Sequence, residues 1–171
     1  VKRAEPYVAM EGAVVETVPG AVWEFLNFQF GPGNRNTLSQ NRHLEYRRAI
    51  AHAIDREALA LARGTAPVTS VLARFGLAAG AGPWDRYPYD LDAVETELFA
   101  LEGRFDVDPF AGDGLDLSLT VPGDSAAGAA TAGRVVTMLR DAGFDAELQL
   151  EDAAVFFVPT LYNGAWDVGS W

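Results

Sequence analysis

Residues 115–151 read LDLSLTVPGDSAAGAATAGRVVTMLRDAGFDAELQLE. Leu115, Leu117, Leu119 and Val121 alternate with Asp116, Ser118 and Thr120, the period of a half-buried strand. Pro122-Gly123-Asp124-Ser125 then turns the chain, and Asp124 or Ser125 can cap a following helix. Ala132, Val135, Val136 and Leu139 recur at helical spacing as its inward stripe. Gly143 stops the helix in a left-handed position, and Phe144 can fold back as the apolar contact of a Schellman end. Ala146, Leu148 and Leu150 alternate with Glu147, Gln149 and Glu151 in a second strand. Strand, helix and strand at this spacing predict a βαβ unit with parallel strands and a right-handed crossover. The strict alternation also predicts one face packed by helices and a wetter second face, because parallel strands covered on both faces read as unbroken apolar runs.

Toward the C-terminus, Asp152 is placed to cap a short helix through Val155, Phe156 and Val158, despite Pro159. Asn163-Gly164 turns, and Trp166 to Trp171 begins a third strand. Toward the N-terminus, residues 105–116 hold Asp106, Asp108, Asp113 and Asp116. Their spacing fails the calcium-loop pattern, since Pro109 and Phe110 replace later ligands, and the segment reads as a solvated acidic loop. Leu91, Val94, Leu98 and Leu101 predict a helix to Gly103, with Asp90 as N-cap and Asp92 in its first turn. Thr65 to Tyr89 reads as a long surface loop that Trp84, Tyr87 and Tyr89 pin to the domain.

Residues 44–64, LEYRRAIAHAIDREALALARG, hold another amphipathic helix. Tyr46, Ala49, Ile50, Ala53 and Ile54 form one stripe, while Glu45, Arg48, His52 and Arg56 fall mostly on the other side. Glu45 and Arg48 are close enough to pair. Asp55 is a poor interior residue and a good N-cap, so the first helix should end near Ile54 and a second begin there, ending at Gly64. Further back, Ala13–Val18 and Val22–Phe30 read as two strands around Pro19-Gly20, whose turn signal predicts a hairpin.

The string Arg47-Arg48-Ala49-Ile50-Ala51-His52-Ala53-Ile54-Asp55-Arg56-Glu57 resembles the R-R-A-I-x-x-A-I-D-R-E helix of family 5 extracellular solute-binding proteins, the receptors of ABC importers. Tyr87-Pro88-Tyr89-Asp90 is similar to the family's Y-x-Y-D entry to the next helix. The Pro19-Gly20 hairpin and the Trp166–Trp171 strand also match its pattern, with Gln29 or Asn27 near the family's Asn. The resemblance covers nearly the whole chain. It implies an α/β fold with a mixed sheet and a βαβ unit, one lobe of a two-lobed, class II periplasmic-binding-protein-like receptor. Residues 1–171 would then be a single lobe cut from a longer protein. It further implies capture of a small solute, an oligopeptide first and a nickel complex or oligosaccharide next, for delivery to an ABC permease. The full receptor is expected outside the cytoplasm, as a monomer anchored as a lipoprotein.

Composition narrows the alternatives. The 171 residues suit one domain with a single core. The net charge of −11 argues against nucleic acid or an anionic membrane as partner. Cysteine is absent, so there is no thiol chemistry or disulfide framework. The two histidines, His43 and His52, lack the i, i+4 spacing of a metal pair, and no nucleophile motif or P-loop occurs. No cofactor, metal or catalytic residue is expected. Two other readings stay open: a glycan-active enzyme using acidic residues, and a protein-interaction module. In open α/β sheets ligands sit beyond the carboxyl ends of the strands. The candidate ligand-binding residues are therefore Ser125, Asp152 and Trp171.

Overall fold

The computed structural model describes residues 5–16, 24–30, 40–70, 82–105 and 115–170. Its centre is the βαβ unit. Strand β2 (Asp116–Pro122), helix α5 (Ala126–Asp141) and strand β3 (Asp145–Glu151) follow one another. The two strands pair in parallel, with Leu117 opposite Ala146 and Leu119 opposite Leu148. Ser125 caps α5 by accepting from the Gly128 N–H at 3.1 Å. The far end closes as a Schellman motif: the Phe144 N–H donates to the Leu139 carbonyl and the Gly143 N–H to that of Arg140, with Gly143 at φ 93°. Phe144 is buried behind it.

A four-stranded mixed sheet has the order β1-β4-β2-β3, with β1 at Asn27–Phe28 and β4 at Val168–Gly169. Strand β4 runs parallel to β2 and antiparallel to β1. Strands β1 and β4 are each two residues long, shorter than the strands expected at Val22–Phe30 and Trp166–Trp171. Ala13–Glu16 are exposed and form no strand; the remainder of the expected hairpin, residues 17–23, lies outside the described residues. Among the described residues, β1 pairs with β4, near the far end of the chain.

Helices α2 (Leu44–Ala53), α3 (Arg56–Ala62) and α4 (Leu91–Phe105) complete the body, with α1 (Glu5–Val8) near the N-terminus. Asp55 separates α2 from α3 and accepts from the Ala58 N–H at 2.9 Å. Gly64 lies at φ 65° just past α3. Asp90 caps α4 through the Ala93 N–H at 3.1 Å. Tyr46, Ala49 and Ile50 of α2, Val94, Leu98 and Leu101 of α4, and Val135, Val136 and Leu139 of α5 share one apolar cluster with Leu117, Leu119, Val121 and Val168 of the sheet.

The opposite face of the sheet departs from expectation. Ser118 and Thr120 of β2 are buried, so this face is polar in residue type yet dry at its centre. The Ser118 hydroxyl donates to Asp167 at 2.7 Å and that of Thr120 meets the Gln149 side chain at 3.5 Å, so both are partnered inside the protein rather than by solvent. Only β3, at the edge, keeps the wetter character, with Glu147 exposed and Gln149 half-buried. Leu150 near its end is exposed as well, although its place in the alternation predicts burial.

The polar side of α2 is likewise not a solvated face. Glu45 and His52 are buried. The His52 Nδ1–H meets the Pro88 carbonyl at 2.8 Å, and its ring packs edge-on to Tyr87. Arg56 donates to the carbonyls of Trp84 and Tyr87 at 2.8 and 2.7 Å. The segment before α4, including a 3₁₀ turn at Pro83–Arg86, is thus bolted down through its backbone carbonyls as well as its aromatic rings. Arg48 reaches across to Glu97 of α4, at 3.9 Å.

Candidate functional site

The carboxyl ends of β2 and β3 lie side by side, because Pro122 pairs with Glu151 in the last register position. The Gly123 N–H donates to the Glu151 carbonyl at 2.7 Å and ties the two following turns together. Ser125 and Asp152 follow these two strand ends. Both are exposed, and both cap helices. Asp152 accepts from the Ala154 N–H through Oδ1 at 2.8 Å and starts α6 (Ala153–Val155), which passes into a π turn at Phe156–Thr160 and then α7 (Leu161–Asn163). Capping uses one acceptor on each residue. It leaves the Ser125 hydroxyl proton and the second Asp152 oxygen as one donor and one acceptor on exposed residues.

Strand β4 delivers the third side of this edge. The Ser170 N–H donates to the Thr120 carbonyl at 3.3 Å. Trp171 itself lies outside the described residues, as does most of the acidic segment, residues 106–114. Exposed apolar side chains follow β3 directly in the chain: Val155, Phe157, Val158 and Tyr162.

Sequence reasoning missed a row of polar residues one step inside the edge. The pairings Asn27↔Gly169, Thr120↔Gly169 and Thr120↔Gln149 place Asn27, Gly169, Thr120 and Gln149 across all four strands. The Asn27 Nδ2 is buried and makes no hydrogen bond among the described residues, and the same holds for the Glu151 Oε2. No periodicity signals such a row, because it forms only when strands distant in sequence pair.

Near the opposite edge, Tyr46 is buried against Phe144, ring to ring at 5.7 Å. Burial pushes its hydroxyl well above the ordinary tyrosine range, and the negative charges of Asp167 and Asp116 add to the shift. Its hydroxyl makes no hydrogen bond among the described residues.

Surface depressions lie elsewhere. One of about 500 Å³ is lined by Gly82, Pro83, Asp85 and Arg86. Another, of about 180 Å³, lies between α3 and α5 and is flanked by Arg63 and Arg134. Ser125 and Asp152 line neither. Among the described residues no three His, Asp or Glu side chains converge as a metal site would require, and no helix is long and apolar enough to cross a membrane. Among the described residues, the strand ends offer an exposed edge with hydrogen-bonding groups.

The profile of "Bacterial extracellular solute-binding proteins, family 5 Middle" matches residues 2–171. No curated protein matches the chain by sequence. Among solved structures, NikA from Brucella suis in complex with Fe(III)-EDTA superposes with a TM-score of 0.66 at 20% identity, covering 86% of this chain and 30% of that one. The periplasmic binding protein MelB from Agrobacterium fabrum in complex with stachyose gives 0.63 at 19%, covering 86% and 25%. The oligopeptide-binding protein from Thermus thermophilus complexed with a pentapeptide gives 0.60 at 18%, covering 90% and 28%. The chain therefore spans 25–30% of the length of these three, and its fold is that of part of a periplasmic binding protein.

Proposed function

Because the chain belongs to the family 5 bacterial extracellular solute-binding proteins, we propose that it forms one lobe of a two-lobed receptor that captures a small solute for an ABC importer. The observation that carries this reading is the family match over residues 2–171. The exposed edge built by the turns after β2 and β3 supports it. In this reading Ser125, Asp152 and Trp171 line the cleft. Asp152 accepts from a ligand ammonium, Ser125 donates to a carbonyl, and the indole of Trp171 supplies broad apolar area and one N–H. An oligopeptide suits that combination best; a nickel complex and an oligosaccharide, the ligand classes of family relatives, come next. The receptor is monomeric, lies outside the cytoplasmic membrane as a lipoprotein, hands its solute to a permease, and performs no catalysis.

Closure of two lobes on a ligand follows from differential affinity, since only a ligand that contacts both lobes shifts the open–closed equilibrium. A single lobe supplies part of those contacts. Isothermal titration of the full receptor and of residues 1–171 against pooled oligopeptides, nickel chelates and oligosaccharides tests the proposal. Tight binding to the full receptor with weak or no binding to the lobe is expected. Tight binding by residues 1–171 alone, or turnover of any compound, would overturn it.

A further inference from the structure

Among the described residues, strand β4 pairs with β2 at Leu119↔Val168 and Thr120↔Gly169. So short a ladder carries little register information, yet a slip by one residue turns every side chain to the opposite face. Such a slip would expel the buried Val168 from the core. It would also redirect Ser170 at the carboxyl edge.

The residue placed to prevent this is Asp167, just before the strand. Its Oδ2 accepts from the Ser118 Oγ–H at 2.7 Å and the Ser118 N–H at 3.3 Å. Its carbonyl accepts from the Gln29 N–H at 2.9 Å and from the Asn41 Nδ2 at 2.8 Å. The Asn41 Nδ2 also reaches the Gln29 carbonyl, at 3.2 Å. Asp167, 6% exposed, thus joins β4 to β1, to β2 and to the 3₁₀ turn at Gln40–Arg42 that leads into α2. Bonds of this kind gain strength away from water, and they demand one geometry.

We infer that Asp167 is a positioning residue for the ligand wall: through Ser118 and Asn41 it sets the register of β4, and so the place at which Ser170 leaves the sheet. This rests on the reading of the carboxyl edge as ligand-facing.

The test uses Ser118→Ala, Ser118→Thr and Asn41→Ala in the full receptor. Affinity for pooled oligopeptides is measured well below each variant's melting midpoint, together with amide hydrogen exchange at Ser170. Ser118→Ala should weaken binding by the folded protein about tenfold, the scale of one hydrogen bond to a charged group, and should speed exchange at Ser170. Ser118→Thr, which retains the hydroxyl, should restore both, and Asn41→Ala should repeat the loss through a different bond. Unchanged affinity and unchanged Ser170 protection in Ser118→Ala and Asn41→Ala, even with a lower midpoint, would show that Asp167 only stabilises the fold. A wild-type receptor that binds none of the peptides would refute the oligopeptide assignment instead, while Ser170 exchange would still decide the register claim.

Discussion

Replacing Ile50 by alanine isolates what α2 contributes through packing. Ile50 is 1% exposed and belongs to the cluster that includes Val94 and Leu98 of α4 and Val135 and Leu139 of α5. The substitution removes three carbons, at about 0.8 kcal/mol each for lost burial, or roughly 2.4 kcal/mol. The surrounding helices and sheet cannot fully collapse into the gap, so a cavity term adds to this, within the range of about 2–5 kcal/mol seen for such truncations. For a chain of 171 residues, each kcal/mol moves the midpoint by about 2–4 °C, so a loss of about 3 kcal/mol corresponds to about 6–12 °C. Arg48→Ala is the control. Its cation lies 3.9 Å from Glu97, with side chains 39% and 22% exposed, and a pair of that kind contributes about 0–1 kcal/mol. Urea and thermal unfolding of both variants beside the wild type decide the matter. Equal losses, or a loss below 1 kcal/mol at Ile50, would refute the claim that the α2 stripe packs into the core while Arg48 pairs at the surface.

Tyr46 predicts an alkaline limb. Its folded hydroxyl titrates above its unfolded value, so stability is fully present below about pH 10 and falls as pH rises beyond it, because the unfolded state then binds fewer protons. Tyr46→Phe should leave neutral-pH stability nearly unchanged and flatten that limb in melts run at increasing pH; an unchanged limb would contradict the burial assigned to the hydroxyl. Gly143→Ala forces a Cβ onto a residue at φ 93° and should cost on the order of 1–2 kcal/mol by thermal melts, although no atom lies within 4 Å of the added group.

Local chemistry in the sequence determined the elements whose interactions span few residues. The alternation of Leu117, Leu119 and Val121, the cap at Ser125, the Gly143-Phe144 stop and the Asp55 break between α2 and α3 all act within a turn or two of the chain, and each stands where its residue type placed it. The parallel pairing of β2 and β3 follows from them, because a crossover helix of that length allows few other arrangements. Ser125 and Asp152 could be placed at the carboxyl edge for the same reason.

Only the tertiary structure decided the rest. Asn27 and Val168–Gly169 become strands because they meet each other across most of the chain, and no two-residue segment carries a period that could announce it. Ser118 and Thr120 read as solvent-facing by alternation, yet both are buried, with Asp167 and Gln149 brought to their hydroxyls by the fold. His52 and Arg56 read as a polar helix face, but the carbonyls of residues 84–88 come to them through chain folding. Asp167 reads as one acidic residue in an expected strand until Ser118, Asn41 and Gln29 converge on it. The physical reason is common to all of these. Local propensity governs groups whose partners lie within a helical turn or a strand period, whereas burial of polar groups depends on donors and acceptors that only the completed fold brings within hydrogen-bonding distance.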